Sequence, residues 1–471
     1  MSHKKFTDLS EAKEVLDRAA SDIGSKEFSI VSNPAYLYRP VDIYPLPKKI
    51  MSPVRHLSAI VKDMDGTTTT TEELCVHSLE FMIGRISGKD KKRGWEGIER
   101  EADHDHIIGN STTMHVEYLI DKYGEMIDPE AFRHAWYYAM LWTLSEGKDP
   151  GRIEEIRANM GSFGLAGLEK EVFVRSFLEK PGFNTQEAWR LVDKLCMEIP
   201  GLPSFLERDR QIRGAIDVYY QRYHEILDAI NQGKGEGISR EALENPSANL
   251  IEPMPGVAIF LAMIKGRLGE DAAIFAEELK EEYLETLEKW PNIDFPEEDV
   301  TKGIRRLRSL GKWFENNPLK TAVVTSSISY EAEIVLSEVF KILHDQVSGW
   351  DMEDSKKRVI LEDFSDYSNY YDAVITASDS SEIRLKPHPD LYSIALHRMG
   401  VDRNRLDEVA GFEDSESGVR AIRASGVGLC VAVPFPFTSG HDLSAAAYIL
   451  PGGLPEAILR YSVFLDPGVL K

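Results

Sequence analysis

The chain has 471 residues, 42% hydrophobic and 28% charged, which describes a globular protein of two or three domains at ~100–200 residues each. A net charge of −23 argues against a nucleic-acid partner, whose affinity depends on Lys and Arg neutralising phosphates. No apolar run approaches the ~20 residues of a membrane span. No secretory signal follows the slightly basic N-terminus, and three distant cysteines, Cys75, Cys196 and Cys430, read as reduced thiols of a cytoplasmic protein.

Residues 8–22 have helical spacing, with Leu9, Ala12, Val15, Leu16 and Ala19 on one face. Asn33 to Pro53, with five prolines and three tyrosines, reads as an extended arm packed across another domain. A short buried strand at His56–Val61 runs straight into Lys62-Asp63-Met64-Asp65-Gly66-Thr67, and the threonines to Thr71 suit extended backbone. Residues 72–250 read as mainly helical. Asp128-Pro129-Glu130 is a helix start, with a capping carboxylate and proline at the first helical position. The aromatics that follow, Phe132, Trp136, Tyr137 and Trp142, read as core or interdomain packing, and Asn231 to Gly237 as a loop. His104 and His106 lack further ligands at metal spacing and read as a polar loop or substrate-facing segment.

From residue 319 strands and helices alternate: strands at 320–324, 371–376, 409–412 and 427–433, helices at 329–343, 389–399 and 415–425. Short β-rich runs between amphipathic helices imply an α/β fold, a Rossmann-like three-layer core whose parallel sheet is covered on both faces. The chain divides into an N-terminal helix and arm (1–55), the α/β core (56–71 and 301–471), a large helical domain (72–250) and a return segment with room for a second insertion (251–300). A return at Pro253–Val257 competes with one at Thr301–Ile304, and the sequence leaves both open.

Ligands of open parallel sheets bind beyond the carboxyl ends of the strands. Those ends supply Asp63 and Asp65; Thr325 and Ser326; Lys386, just before the helix at 389; and Glu413 and Asp414. Carboxylates, hydroxyls and one lysine are the inventory for magnesium plus a phosphoryl group. Magnesium takes carboxylate oxygens, which Asp63, Asp414 and Glu413 can offer. The charge that spreads over phosphoryl oxygens needs cations and fixed donors, such as Lys386, Thr325 and Ser326. A carboxylate can itself be the nucleophile, with a neighbouring one as general acid and base.

This set, in this order, resembles the haloacid dehalogenase superfamily: Asp63-Met64-Asp65-Gly66-Thr67 its first motif, Thr325 its second, Lys386 its third and Glu413-Asp414 its fourth. Lys386-Pro387-His388-Pro389-Asp390 and Gly411 to Ala421 resemble the β-phosphoglucomutase-like branch, with His388 a variable filler. The resemblance implies Asp63 as nucleophile, Asp65 as general acid/base, Thr325 and Lys386 as phosphate contacts, and Mg2+ held by Asp63, the Asp65 carbonyl and Asp414. Asp65 points away from the family's dehalogenases, phosphonate hydrolases and pumps. The expected function is therefore hydrolysis of a small phosphorylated metabolite through an aspartyl-phosphate. A phosphomutase and a catalytically silent binding protein are the alternatives. Thr68 stands where a leucine is common, and Leu385 where a glycine often precedes the lysine. Relatives carry a helical cap after the first motif that closes over the site and selects the leaving group. On this resemblance, residues 72–250 are an unusually large cap, with 107–115 near its cleft.

Overall fold

The computed structural model describes residues 9–22, 26–33, 38–89, 95, 97–99, 102–103, 107, 112–235, 237, 249–290, 293 and 295–470. His104, His106 and residues 108–111 of the 107–115 segment lie outside them. The chain forms two compact units, 1–70 with 252–471, and 71–251.

The first unit begins with a helix, Leu9–Asp22, and an antiparallel hairpin, β1 (Phe28–Ser32) and β2 (Val41–Pro45). The hairpin falls in and beside the segment that reads as an irregular arm. Its prolines mask the pattern, yet Ser29, Val31 and Asp42 alternate inward while Ile30 and Ile43 face out.

Its centre is a six-stranded parallel sheet. Along the chain come β3 (Ala59–Asp63), then the short pair β4 (Thr69–Thr70) and β5 (Glu252–Pro253), which hydrogen-bond to each other where the chain leaves and re-enters this unit. β6 (Lys320–Val324), β7 (Ala373–Ile375), β8 (Val409–Glu413), β9 (Leu429–Ala432) and β10 (Tyr448–Ile449) follow. The sheet order is β10-β9-β8-β3-β6-β7, and each adjacent pair is parallel. The chain thus builds outward from β3 to one side, then crosses back and builds to the other. β3 and β8 flank the point where that order reverses, the place where ligands bind in such sheets. Every residue of β3 and β8 is buried, as strands covered on both faces must be. On one face Ala59, Val61, Ala322 and Val324 pack with Leu391, Tyr392 and Ala395 of helix 390–398 and Val419 and Ile422 of helix 416–424. On the other lies helix 257–264, buried at every residue, with Phe260 edge-on to Phe412 at 5.3 Å. β10 has only two residues at the sheet edge and no readable periodicity, so the sequence reading contained five of the six core strands.

The second unit is helical throughout its longer elements: 72–87, 112–123, 129–146, 150–162, 172–178, 185–198 and 208–231. Asp128 caps helix 129–146, accepting hydrogen bonds from the amides of Glu130 (2.9 Å) and Ala131 (2.8 Å). Phe132, Trp136 and Tyr137 are wholly buried, and Phe132 stacks on Phe205 at 3.9 Å. Among these rings sits Asp217, whose Oδ2 accepts from Trp136 Nε1 (2.7 Å) and Asn159 Nδ2 (2.9 Å). Burial pushes its carboxyl from 3.8 up to about 7, against the lowering effect of those two donors. A folded-state pKa above the unfolded one means that this group's contribution is fully present below about pH 4 and is lost as pH rises through about 7. A shift of that size is worth on the order of 4 kcal/mol. Asp217→Asn keeps an oxygen for both donors without the charge. In urea titrations from pH 4 to 8 it is expected to flatten the fall in stability and to exceed the native chain at pH 8.

Among the described residues no helix is long and apolar enough to cross a membrane.

Candidate active site

Asp63 ends β3 beside Val324 of β6, with Glu413 at the end of β8. Beyond Asp63 the chain turns at once: the amides of Thr68 (2.8 Å) and Thr69 (3.0 Å) both donate to Met64 O, and Gly66 N donates to Thr69 O (2.8 Å). Gly66 has φ +78°, and a Cβ there would lie 2.6 Å from Asp414 Oδ2, so only glycine serves the turn and the close approach. Thr67 Oγ1 donates to Asp414 Oδ1 (3.3 Å), joining this turn to the segment after β8. Thr68 is wholly buried and donates to Asp63 O (2.5 Å).

Lys386 is the hub. Its ammonium donates to Asp63 Oδ1, to Glu413 Oε1 (2.8 Å) and to Val324 O (3.3 Å), three acceptors for three protons. Both carboxylates and the lysine side chain are buried. Burial alone would lower the lysine pKa; Asp63 and Glu413 outweigh that and raise it, so Lys386 is a fixed cation. Burial, then the Glu413 charge, pushes the Asp63 carboxyl well above the usual range, against the pull of Lys386.

Glu413 is anchored on both oxygens. Oε2 accepts from the amides of Asp414 and Ser415 and from Ser415 Oγ, each at 2.9 Å, while Tyr392 OH reaches Oε1 at 3.3 Å. Ser415 in turn caps helix 416–424 through Gly418 N (3.2 Å). A Cβ on Gly418 would fall 1.6 Å from Glu413 Oε1. Gly418→Ala is therefore expected to displace Glu413, to cost about 1–3 kcal/mol of stability by overpacking, and to lower any activity that needs Lys386. Urea denaturation beside a turnover assay checks this; a variant as stable as the native chain contradicts it.

Asp65, half-buried, accepts from Thr325 Oγ1 at its Oδ2 (2.8 Å), and Thr325 Oγ1 accepts from Ser327 N (2.9 Å). Ser326 is exposed. Asp63, Glu413 and Asp414 bring carboxylate oxygens within 4.8 Å of one another. Three carboxyl groups beside the one cation, Lys386, offer grouped hard oxygen donors of the kind that suit a divalent ion such as magnesium.

Several residues of the site were not legible in the sequence reading. Tyr392 has no motif signal. His388, read as filler, is 4% exposed and hydrogen-bonded to Tyr44 OH (2.7 Å). Lys62, beside Asp63 but on the opposite face, is 1% exposed, with its ammonium 5.8 Å from the centre of the Phe260 ring. A lysine inside a central buried strand was the available signal. Burial lowers its pKa to about 7.

No protein-family model and no curated sequence matches the chain. Among solved structures it is similar to CbbY from Rhodobacter sphaeroides in complex with phosphate (12% identity, 85% of this chain and 96% of that one, TM-score 0.37). It is also similar to a HAD family hydrolase from Deinococcus radiodurans R1 with bound phosphate and sodium (12%, 88% and 100%, TM-score 0.39). A third is a HAD-superfamily hydrolase of subfamily IA from Geobacter sulfurreducens PCA (14%, 88% and 98%, TM-score 0.30).

Proposed function

We propose that the chain is a magnesium-dependent phosphomonoester hydrolase of the haloacid dehalogenase type, with Asp63 as its nucleophile. The observation that carries this reading is the meeting of Asp63, Lys386, Glu413 and Asp414 at the β3–β8 reversal of the sheet, with Asp65 held beside them by Thr325.

In the first step a carboxylate oxygen of Asp63 attacks phosphorus and the ester P–O bond breaks. The leaving oxygen takes its proton from Asp65, which the Thr325 hydroxyl holds in place. In the second, water attacks phosphorus, gives its proton to Asp65, and the bond to Asp63 breaks to release phosphate. The Lys386 ammonium supplies fixed positive charge beside the phosphoryl oxygens; Ser326 at the mouth is a candidate donor, and Thr325 becomes one where its hydroxyl exchanges its bond to Asp65 for one to phosphate. Asp63, Asp414 and the Asp65 carbonyl are the residues that would hold Mg2+, which when bound supplies positive charge to those same oxygens. Glu413, expected from sequence as a further ligand, is better suited to anchoring Lys386, because its two oxygens already accept from Lys386, Tyr392, Asp414 and Ser415. Choice among small phosphorylated metabolites is assigned to the helical unit, which is inserted directly after the first motif and is large enough to act as a cap.

A phosphorus NMR time course over a panel of small phosphate esters, with magnesium and after chelation, tests the reading. Free phosphate released only with magnesium is expected. An isomerised sugar phosphate in its place would assign a phosphomutase, and no turnover of any ester would favour a binding role.

A further inference from the structure

Lys386 lies in a four-residue turn, Leu385 to His388, closed by a hydrogen bond from His388 N to Leu385 O (2.9 Å). Arg384, just before that turn, and His388, its last residue, share one partner from the other end of the sequence. Arg384 Nη1 donates to the Tyr44 hydroxyl (2.9 Å), and that hydroxyl lies 2.7 Å from His388 Nδ1. With its oxygen accepting from arginine, the Tyr44 O–H is placed to donate to Nδ1, which requires a neutral imidazole. Burial and then the Arg384 charge push the His388 pKa down, in keeping with that state. The Tyr44 and His388 rings meet edge-on, 88° apart, with centroids at 5.8 Å.

The grip is braced on each side. Arg384 forms a two-pronged bond to Asp390, at 2.8 and 2.6 Å, in the first turn of helix 390–398. Its Nη1 also reaches Asp42 Oδ2 (3.3 Å), and Asp42 pairs with Arg39 (2.9 Å). The hairpin's other strand is tied to helix 416–424, which starts just after Glu413–Ser415. Arg420 Nε donates to Ser29 Oγ (3.1 Å) and its guanidinium to Ile30 O, while the wholly buried Arg423 bonds Pro47 O and Glu27 (2.9 Å). One N-terminal hairpin therefore holds both segments whose side chains, Lys386 and Glu413, form the buried ion pair of the site.

We propose that this hairpin is a positioning element for the active-site lysine, with the Tyr44 hydroxyl clamping Arg384 and His388 on either side of Lys386. The clamp gains its catalytic meaning from the reading of Lys386 as a phosphate contact. Tyr44 and His388 touch no reacting atom and act through the turn. Asp42 serves by holding Arg384.

The test uses full-length Tyr44→Phe, His388→Leu and His388→Asn. Backbone hydrogen exchange is read at Arg384–His388 against the strand 320–324, and steady-state kinetics are read on whichever ester the native chain turns over. Loss of the Tyr44–His388 hydrogen bond, common to both variants, predicts exchange at least about tenfold faster at Arg384–His388 in His388→Leu and in Tyr44→Phe, which also loses the bond from Arg384, with the strand unchanged. It also predicts kcat about tenfold lower, with KM within about twofold, since the lysine is misplaced and not removed. His388→Asn, whose side-chain oxygen can take the Tyr44 proton, is expected to restore both. Unchanged exchange at 384–388 overturns the proposal, as does an equal rise in the strand, which would mark general loss of stability. If the exchange pattern appears as expected but no ester is turned over, the clamp stands and the phosphatase reading fails.

Discussion

Asp63→Asn is expected to lower turnover by more than about a thousandfold, the scale on which covalent enzymes lose rate when the nucleophile is removed, while leaving the chain folded. The amide fills the same space at the end of β3 but cannot form the acyl-phosphate. The stability side of this prediction is less intuitive. Asp63 is 5% exposed and faces Glu413, and burial and then the Glu413 charge disfavour its anion and raise its pKa. A neutral amide is free of that penalty, so without magnesium Asp63→Asn should melt no lower than the native chain. Lys386 keeps Glu413 and Val324 O as partners. Inactivity with an unchanged or raised melting temperature is the expected pair of results. Inactivity through unfolding would leave the role of Asp63 unsupported.

Lys386→Met is expected to do the opposite to stability. Methionine matches the stem but leaves Asp63 and Glu413 side by side in a buried site without their cation. Breaking a buried pair from one side costs about 3–5 kcal/mol, so urea unfolding without magnesium should show a loss of that order. Turnover should fall by at least about a hundredfold, the effect of deleting one preorganised donor to a charged transition state. Lys386→Arg should recover part of the stability and little of the activity, because a planar guanidinium cannot reproduce three bonds radiating from one nitrogen. A methionine variant as stable as the native chain would contradict the pairing described for this site.

The unit that carries the candidate site was the readable one. Asp63, Thr325, Lys386 and Glu413-Asp414 follow strand-like runs separated by helical spacing, and in a parallel sheet chain direction alone sends them to one edge. The β3, β6, β7, β8 and β9 strands were visible because buried strands read as short, mainly apolar runs. The two-residue β10 carries no period, and the β1–β2 hairpin is obscured by five prolines between residues 33 and 53. What the sequence could not convey is pairing across long separations. Tyr44 with His388 and Arg423 with Pro47 are contacts whose partners have no spacing rule. Glu413 shows the same limit within the motif: its type allows metal binding, and only its hydrogen bonds to Lys386, Asp414 and Ser415 reveal an anchoring role. Lys62 is a residue of the opposite kind, evident in the sequence and buried in the fold, with no role in the mechanism proposed.

The most direct measurement is to mix the native chain with a turned-over phosphate ester and magnesium, quench in acid on the millisecond scale, and map the phosphoryl group by peptide mass spectrometry. The account predicts one phosphoryl group, on the peptide containing Asp63 and on that residue, appearing before free phosphate and absent from Asp63→Asn. Turnover with no covalent phosphoryl at any quench time, or with the group on another side chain, would contradict it.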